Sequence, residues 1–213
     1  MKTYLLEAKN PEIIRTIHEV LLKTPSLEFV FLDDDPAKHG TFFYGFPIVG
    51  GLDLAVQLKE YDAKFVNLIS DSPNIRHETT NKVLKEGGVL DNLIHPNVDL
   101  SMVKIGVGNC IHAGAALQAN VCIGDNTSIH AGVFIGHSSK VGDSVIIAHG
   151  ATISKHCKID DECFIGINAT ILPYANIGKG VTIGAGTVVS GDVFDYSCVL
   201  NNSTRIIKTD PHL

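Results

Sequence analysis

The 213-residue sequence lacks the features that mark several protein classes. Its five cysteines include no CxxC pair, so nothing suggests a disulfide framework or a structural zinc site. There is no Lys/Arg-rich run, and a net charge of -6 argues against nucleic acid or an anionic membrane as the main partner. No segment has the apolar core of a signal peptide or the roughly eighteen uncharged apolar residues of a membrane span. We therefore expect a soluble, cytoplasmic protein without a membrane span.

What the sequence does have is an aliphatic residue at every sixth position across residues 105–194. The series comprises Ile105, Ile111, Leu117, Ile123, Ile129, Ile135, Val141, Ile147, Ile153, Ile159, Ile165, Ile171, Ile177, Ile183 and Val189. A second series, four residues after each lead, is small or β-branched except at Asn109 and Ser139. This period fits neither a helix nor a flat strand, but it is the hexapeptide repeat of a parallel β-helix. We expect five triangular coils with small or Gly-containing pairs at the corners, and residues eighteen apart should stack.

The first ninety residues show a different pattern, in which short apolar runs alternate with helical spacing. Strands are predicted at residues 4–6, 29–32 and 64–70, and helices after Pro11, around residues 52–58 and at residues 74–86. Such alternation predicts a small Rossmann-like parallel α/β domain. The predicted organisation is an α/β domain over residues 1–90, a β-helix over residues 91–194 and a capping tail over residues 195–213.

Histidines supply the candidate chemistry inside the repeat. His112 and His130 are eighteen apart and should stack. We interpret these two and His156 as solvated or hydrogen-bonded surface side chains. His137 differs because Gly136 and Ser138 flank it, and an accessible imidazole that titrates near neutrality can take a proton from an amine or alcohol.

A column of residues eighteen apart provides a candidate binding surface. It contains Ala131, His149, Ile167 and Ala185, which are small or aliphatic apart from the histidine. A stripe of this kind on the outside of the triangular β-helix, here called the prism, suits a thin, extended ligand.

Several segments carry a resemblance to a known family. The hexads, with IGHSSKVGD, FIGINATILPYANIG and TIGAGTVV, resemble the left-handed β-helix acyltransferases, in particular the branch that acetylates sialic acids or amino sugars on nucleotide carriers. VFLDDD and PIVGGLDLA resemble that branch's nucleotide-sugar-binding segment. The resemblance implies a left-handed β-helix that uses acetyl-CoA as co-substrate and no metal. It also implies a homotrimer whose active sites lie between two prisms, with a small-molecule sugar as acceptor.

The resemblance also implies roles for particular residues. His137 would be the general base, with Ser138 beside it. The acetyl-CoA site would involve Ile146, His149, Ile167 and Ala185. The acceptor would lie near Asp33, Asp34, Gly51 and His130.

The sequence departs from the family at four places. Ser138 stands where members usually have an acidic residue, Ile146 replaces a histidine that contacts the acetyl donor, and His130 replaces an acceptor-side asparagine. Residues 7–11, Glu-Ala-Lys-Asn-Pro, replace a glycine-rich phosphate loop. Without glycine the backbone cannot closely approach a phosphate. The predicted acceptor is a nucleotide-linked sugar, and this departure leaves a nucleotide-free one open as the alternative.

Two other functions compete with sugar acetyl transfer. Zinc carbonic anhydrases share the prism but need three convergent histidines, typically with two of them five apart, and no pair inside this repeat has that spacing. A non-catalytic trimeric binding or assembly module is the second alternative. It would be a prism that has lost the acidic partner of its histidine and its phosphate loop.

Overall fold

The computed structural model describes residues 2–55 and 63–201, which form an α/β unit followed by a left-handed parallel β-helix. The predicted fold class is thereby confirmed. No helix in the described part of the chain is both long and apolar enough to cross a membrane. Of the helix expected around residues 52–58, residues 54 and 55 are helical, and residues 56–58 lie outside the described residues.

The α/β unit is built on a six-stranded sheet centred on β1 (Lys2–Leu6). Its other strands are β2 (Glu28–Leu32), β3 (Phe42–Phe43), β4 (Phe46–Gly50), β5 (Lys64–Asn67) and β6 (Val89–Leu90). They lie in the order β3-β4-β2-β1-β5-β6, and all pair in parallel except β3 with β4. The helices are α1 (Glu12–Lys23), α2 (Pro73–Lys85) and a short 3-10 turn at Pro36–Lys38.

The first helix shows why this sequence alternates strand and helix. Ile13, Ile14 and Ile17 are buried at helical spacing, and they pack in one cluster with Leu5 of β1 and Phe31 of β2. A helix that follows a parallel strand covers the sheet in this way.

The β-helix has three faces, each a parallel sheet of two-residue strands. The first face contains Lys104–Ile105, Cys122–Ile123, Lys140–Val141, Lys158–Ile159 and Asn176–Ile177. The second contains Leu93–Ile94, Cys110–Ile111, Ser128–Ile129, Ile146–Ile147, Phe164–Ile165, Thr182–Ile183 and Cys198–Val199. The third contains Ala116–Leu117, Phe134–Ile135, Thr152–Ile153, Thr170–Ile171 and Val188–Val189. Within the regular coils, paired residues are eighteen apart, as in Ile123 with Val141.

The interior follows the predicted two series, including its polar interruptions. Asn109 is fully buried, where its side chain accepts a hydrogen bond from the Thr127 N–H and donates one to the Gly124 carbonyl, at 2.8 and 2.9 Å. Ser139 is also buried and bonds to the Ser154 carbonyl and the Cys157 N–H. A buried polar group is tolerated when its hydrogen bonds are made. Both side chains therefore extend the coil-to-coil ladder instead of breaking it.

The corners match the expected small or Gly-containing pairs only in part. Each is turned by one residue of positive φ, the fourth of its hexad. This residue is glycine or serine at many corners, such as Gly132 and Ser144, but it is large at others, as in His156 and Glu162 with φ of 56 and 59. The left-handed conformation costs a non-glycine residue free energy. Backbone hydrogen bonds hold these corners, because the N–H of His156 donates to the His137 carbonyl and that of Glu162 to the Asp143 carbonyl.

The repeat changes length at its C-terminal end. Ile177 bridges to Val193 and Thr182 pairs with Cys198, so the last coil has sixteen residues per turn instead of eighteen. The strand Cys198–Val199 therefore extends the β-helix past the predicted boundary at residue 194. Most of the predicted capping tail, residues 202–213, lies outside the described residues.

A buried arginine joins the two units. Arg76 of α2 is fully buried, and its guanidinium donates to the carbonyls of Asn126, Ile69 and Gly108. No carboxylate in the described residues pairs with it, and burial lowers its pKa to about 10. Because its carbonyl partners lie in both the α/β unit and the prism, this side chain helps to fix their relative position, together with the bonds from Thr80 to Asn126 and from His77 to Ser144.

We expect Arg76→Ala to lower the free energy of unfolding by about 3 kcal/mol, because it leaves buried carbonyls without donors and removes packed methylene groups. Urea denaturation of the full chain measures the change. Arg15→Ala is the matched control, since Arg15 is exposed and forms a surface ion pair with Glu12 that contributes about 0–1 kcal/mol. Equal losses in the two variants would contradict the role assigned to Arg76.

Candidate functional site

His137 lies at the corner between the third and first faces, where its side chain is exposed. Its N–H donates to the Gln118 side chain at 3.0 Å, which fixes the backbone of the corner. The ring Nδ1 lies 3.4 Å from the Ser138 hydroxyl, so that contact is weak. Among the described residues, no carboxylate pairs with this imidazole.

Aromatic rings continue upward from His137 along the same corner. The rings of His137 and His156 meet edge to face with centroids 5.0 Å apart, and His156 stacks in parallel on Tyr174 at 5.2 Å. The Lys155 ammonium lies 5.9 Å from the centre of the Tyr174 ring. The orientation of His137 therefore depends on this ladder of rings at least as much as on Ser138.

The stripe containing His149, Ile167 and Ala185 lies at the opposite edge of the third face, and all three residues are exposed. The backbone N–H groups of Ile167 and Ala185 have no acceptor within residues 2–55 and 63–201. At the corner between the first and second faces, by contrast, four of the five equivalent N–H groups, those of Val107, Asp125, Asp143 and Lys179, are bonded to an aspartate one coil on. The side chains of Asp125, Asp143, Asp161 and Asp195 accept these bonds. The stripe thus offers a column of free donors.

Ile146 does not belong to this exposed stripe. It is fully buried on the second face, the face that meets the α/β unit. In this chain it therefore cannot touch a ligand bound along the stripe without a rearrangement.

His112 and His130 lie one above the other as predicted, with tilted rings whose centroids are 5.2 Å apart. Both are buried, so the solvated interpretation is wrong for these two, whereas His156 is exposed. Only 4% of His112 and 6% of His130 is exposed. The Nδ1 atoms of His130 and His149 are 3.3 Å apart, so His130 is linked to the stripe. His112 Nδ1 and His130 Nε2 have no hydrogen-bond partner in the described residues.

Burial sets the protonation state of these two histidines. Burial, with a smaller contribution from neighbouring imidazoles, lowers the pKa of His112 to about 4 and that of His130 to about 3. Both rings are therefore neutral at pH 7.

Asp33, Asp34 and Gly51 come together at the carboxyl edge of the α/β sheet, as predicted for strand ends. Asp33 is buried, and its carboxylate accepts hydrogen bonds from the Ala8 and Asp35 N–H groups and the Lys38 ammonium. Burial would raise the pKa of Asp33, but these hydrogen bonds outweigh it and leave the pKa below its usual value. Asp34 is exposed and accepts from the Leu52 N–H at 2.8 Å.

Sequence reasoning missed three features of this site. It did not find the orienting rings of His156 and Tyr174, although their spacing from His137 of nineteen and then eighteen residues carries the signal. It did not foresee the internal use of Asp33. Nor could it see the burial of the His112–His130 pair, which depends on where the α/β unit docks.

Comparison with known proteins agrees with the fold and the family resemblance. Residues 123–155 and 156–191 match the family model of the bacterial transferase hexapeptide (six repeats). The acetyltransferase domain of PglB from Neisseria gonorrhoeae FA1090, solved in complex with acetyl coenzyme A, is 28% identical, with 97% of this chain and 98% of that chain covered and a TM-score of 0.83. No curated protein sequence gives a significant match.

Two further solved structures share the fold at lower identity. PerB from Caulobacter crescentus, in complex with CoA and GDP-perosamine, is 23% identical with 98% of both chains covered and a TM-score of 0.84. WeeI from Acinetobacter baumannii AYE is 24% identical, with 97% of this chain and 100% of that chain covered and a TM-score of 0.82. The resemblance to the left-handed β-helix acyltransferases is confirmed.

We expect the protein to lose stability as the pH falls below 6.5, partly through His112 and His130. Their folded pKa values lie below the ordinary value of 6.5, so below that pH the unfolded chain binds protons that the folded chain does not. The stability is complete above pH 6.5 and is lost towards pH 4 and 3, at up to about 1.4 kcal/mol per pH unit for each histidine.

Urea midpoints measured between about pH 7.5 and about pH 4.5 check this expectation, because imidazole titrates within this range. The double variant His112→Gln, His130→Gln should show a shallower decline than the unchanged protein. His18→Gln, at an exposed position of α1, is the control and should leave the decline unchanged. Parallel curves for all three proteins would show that the buried pair does not contribute.

Proposed function

We propose that this chain, a hexapeptide-repeat protein of the left-handed β-helix acyltransferase type, is an acetyl-CoA-dependent sugar acetyltransferase. The acceptor atom is an amine or hydroxyl of the sugar, which makes the enzyme an N- or O-acetyltransferase. The observation that carries the proposal is the likeness, over 97% of the chain, to an acetyltransferase domain solved with acetyl coenzyme A. The GDP-perosamine in the PerB structure supports a sugar as acceptor.

The exposed stripe supports a site for acetyl-CoA. A pantetheine arm is thin and carries amide groups, so it fits a column of small and aliphatic residues with free backbone donors. His149, Ile167 and Ala185 present such a column, and the N–H groups of Ile167 and Ala185 are free to bond to the arm. The bound thioester supplies an activated acetyl carbonyl. No metal is needed, because the thioester is already electrophilic.

His137 is the proposed general base. Its imidazole accepts the proton from the acceptor's amine or hydroxyl while the nitrogen or oxygen bonds to the acetyl carbon. The carbon–sulfur bond then breaks, and the protonated imidazole returns the proton to the leaving thiolate. Backbone N–H groups stabilise the oxyanion formed between these steps. The transfer is direct, without a covalent enzyme intermediate.

The ladder of rings takes over the positioning that an acidic neighbour gives in the family. Ser138 is neutral, so it stabilises an imidazolium less than a carboxylate would. The rings of His137 and His156 meet edge to face, and His156 is stacked on Tyr174. This contact restricts the rotation of the His137 side chain. A modest rate follows, because orientation is kept but charge stabilisation is weak.

The proposed active form is a homotrimer with each site between two prisms. His137 and the stripe lie at opposite edges of the third face. Within one subunit they are therefore at different corners of the prism and do not form one site. Apolar side chains on the outer surface of this region are exposed, including Ile167, Leu172, Tyr174 and Val188. Threefold packing would cover them and set His137 of one subunit against the stripe of its neighbour.

We expect His137→Ala to lower kcat by roughly 10²–10⁴-fold, the range for loss of a general base, with little change in acetyl-CoA affinity. A thiol-release assay with acetyl-CoA and a panel of amino sugars, with and without nucleotide, measures it. His18→Ala, exposed on α1, is the control.

Two outcomes of that assay would redirect the assignment. Near-full activity of His137→Ala, with activity lost in His149→Ala or His130→Ala, would show that the base is misassigned. Absence of thiol release with every acceptor would favour the non-catalytic trimeric module.

We expect sedimentation velocity at micromolar concentration to give three times the mass of one chain, because the exposed apolar surface of the prism needs a covering partner. A stable monomer that still binds acetyl-CoA would exclude a site shared between subunits.

A further inference from the structure

The carboxyl edge of the α/β sheet, where β1 ends and α1 begins, has few free donors for a phosphate among the described residues. In parallel α/β folds this edge binds phosphates when loop N–H groups and the N-terminus of the following helix point at the ligand. In this chain the N–H groups of Glu7, Ala8 and the first turn of α1 are either absent or already bonded within the protein.

The loop donor is taken by an internal carboxylate. The Ala8 N–H, the second after β1, donates to Asp33 Oδ2 at 2.9 Å. The Lys38 ammonium lies 2.7 Å from the same oxygen and 3.3 Å from the Ala8 carbonyl. Asp33 is 7% exposed, so its charge is held in place beside the donors. It occupies the position in which a phosphate oxygen would otherwise accept these hydrogen bonds.

The start of α1 is closed as well. Pro11 has no N–H, and the Glu12 N–H donates to the Asn10 side chain at 3.0 Å. The N–H groups of Ile13 and Ile14 donate to the carbonyls of Asn10 and Pro11. The Glu12 side chain adds a negative charge in the first turn. The partial positive charge at the start of α1 is therefore compensated by groups of the protein itself.

The remaining charges at this edge would repel an anion. A cavity of about 150 Å³ opens here, and it is lined by Leu6, Glu7, Leu32, Asp33, Asp34, Leu52 and Ile69. Three of these side chains are acidic and none is basic. Lys9, which follows in the loop, is ion-paired with Asp71. Lys38 balances the charge of Asp33, whereas Glu7 and Asp34 have no ion pair in the described residues. A diphosphate would meet these two like charges and find most of the donors occupied.

We propose that the acceptor is a sugar that carries no nucleoside diphosphate, because this edge is closed to the phosphates by Asp33 and the capped start of α1. The inference rests on the proposed acetyl transfer and narrows its acceptor to nucleotide-free sugars. An acceptor of this class differs from the GDP-perosamine with which PerB was solved.

Calorimetric titration of the full chain with UDP and with GDP tests the inference directly. CoA is present at saturation, so that neither nucleotide can enter the site for the acetyl donor. We expect no saturable binding up to about 5 mM nucleotide, weaker than a millimolar complex. Saturable binding of UDP or GDP below that concentration would overturn the inference, whatever the activity of the protein.

A kinetic comparison gives the second arm. The kcat/KM for a free amino sugar should equal or exceed that for the same sugar linked to UDP or GDP. A value at least about tenfold higher for the nucleotide-linked sugar, equal to a gain of one order of magnitude in transition-state binding, would also overturn the inference. Failure of the proposed function has a different signature, because then no acceptor, free or linked, releases thiol from acetyl-CoA.

Discussion

Backbone hydrogen bonds between coils eighteen residues apart control the geometry of the rest of this molecule. Each strand residue lies beside its counterpart one coil on, so the lead aliphatic residues form three continuous inner columns. The same ladder determines which outward side chains are neighbours. His112 meets His130, and His156 meets Tyr174, because the backbone beneath them is in register. Any surface site on this prism must therefore be a column or a pair of adjacent columns.

The ladder also explains why the three corners have different chemistry. At the corner between the first and second faces, most outward N–H groups donate to an aspartate one coil on, so few are left for a ligand. At the corner carrying His149 and Ile167 the equivalent donors have no side-chain acceptor in the described residues. An unpaired exposed N–H costs little in water but is available to a ligand. The difference between the corners follows from one residue type at one position of the hexad.

The sequence alone was sufficient for the prism, its register and the α/β unit before it, because the signals there are local and periodic. Every predicted lead residue from Ile111 to Val189, Leu117 apart, is buried. The shortened last coil escaped prediction, because two missing residues near Gly191 end the six-residue spacing without ending strand pairing. The burial of His112 and His130 also escaped it, because it depends on docking of the α/β unit through Arg76. Long-range contacts of this kind leave no periodic signature.

Asp33 shows that a strand-end motif can predict the position of a carboxylate without predicting its hydrogen bonds. The strand end VFLDDD puts carboxylates at the ligand-binding edge of the sheet, as expected. The first of these carboxylates accepts hydrogen bonds from the loop that would otherwise hold a phosphate, and Lys38 balances its charge. With glycines in the loop, the backbone could approach a ligand and use the same donors outward. With Glu7, Ala8 and Pro11 there, the donors turn inward. The loop composition and the internal carboxylate therefore depend on each other, because the loop donates inward to Asp33 and the buried Asp33 needs that donor.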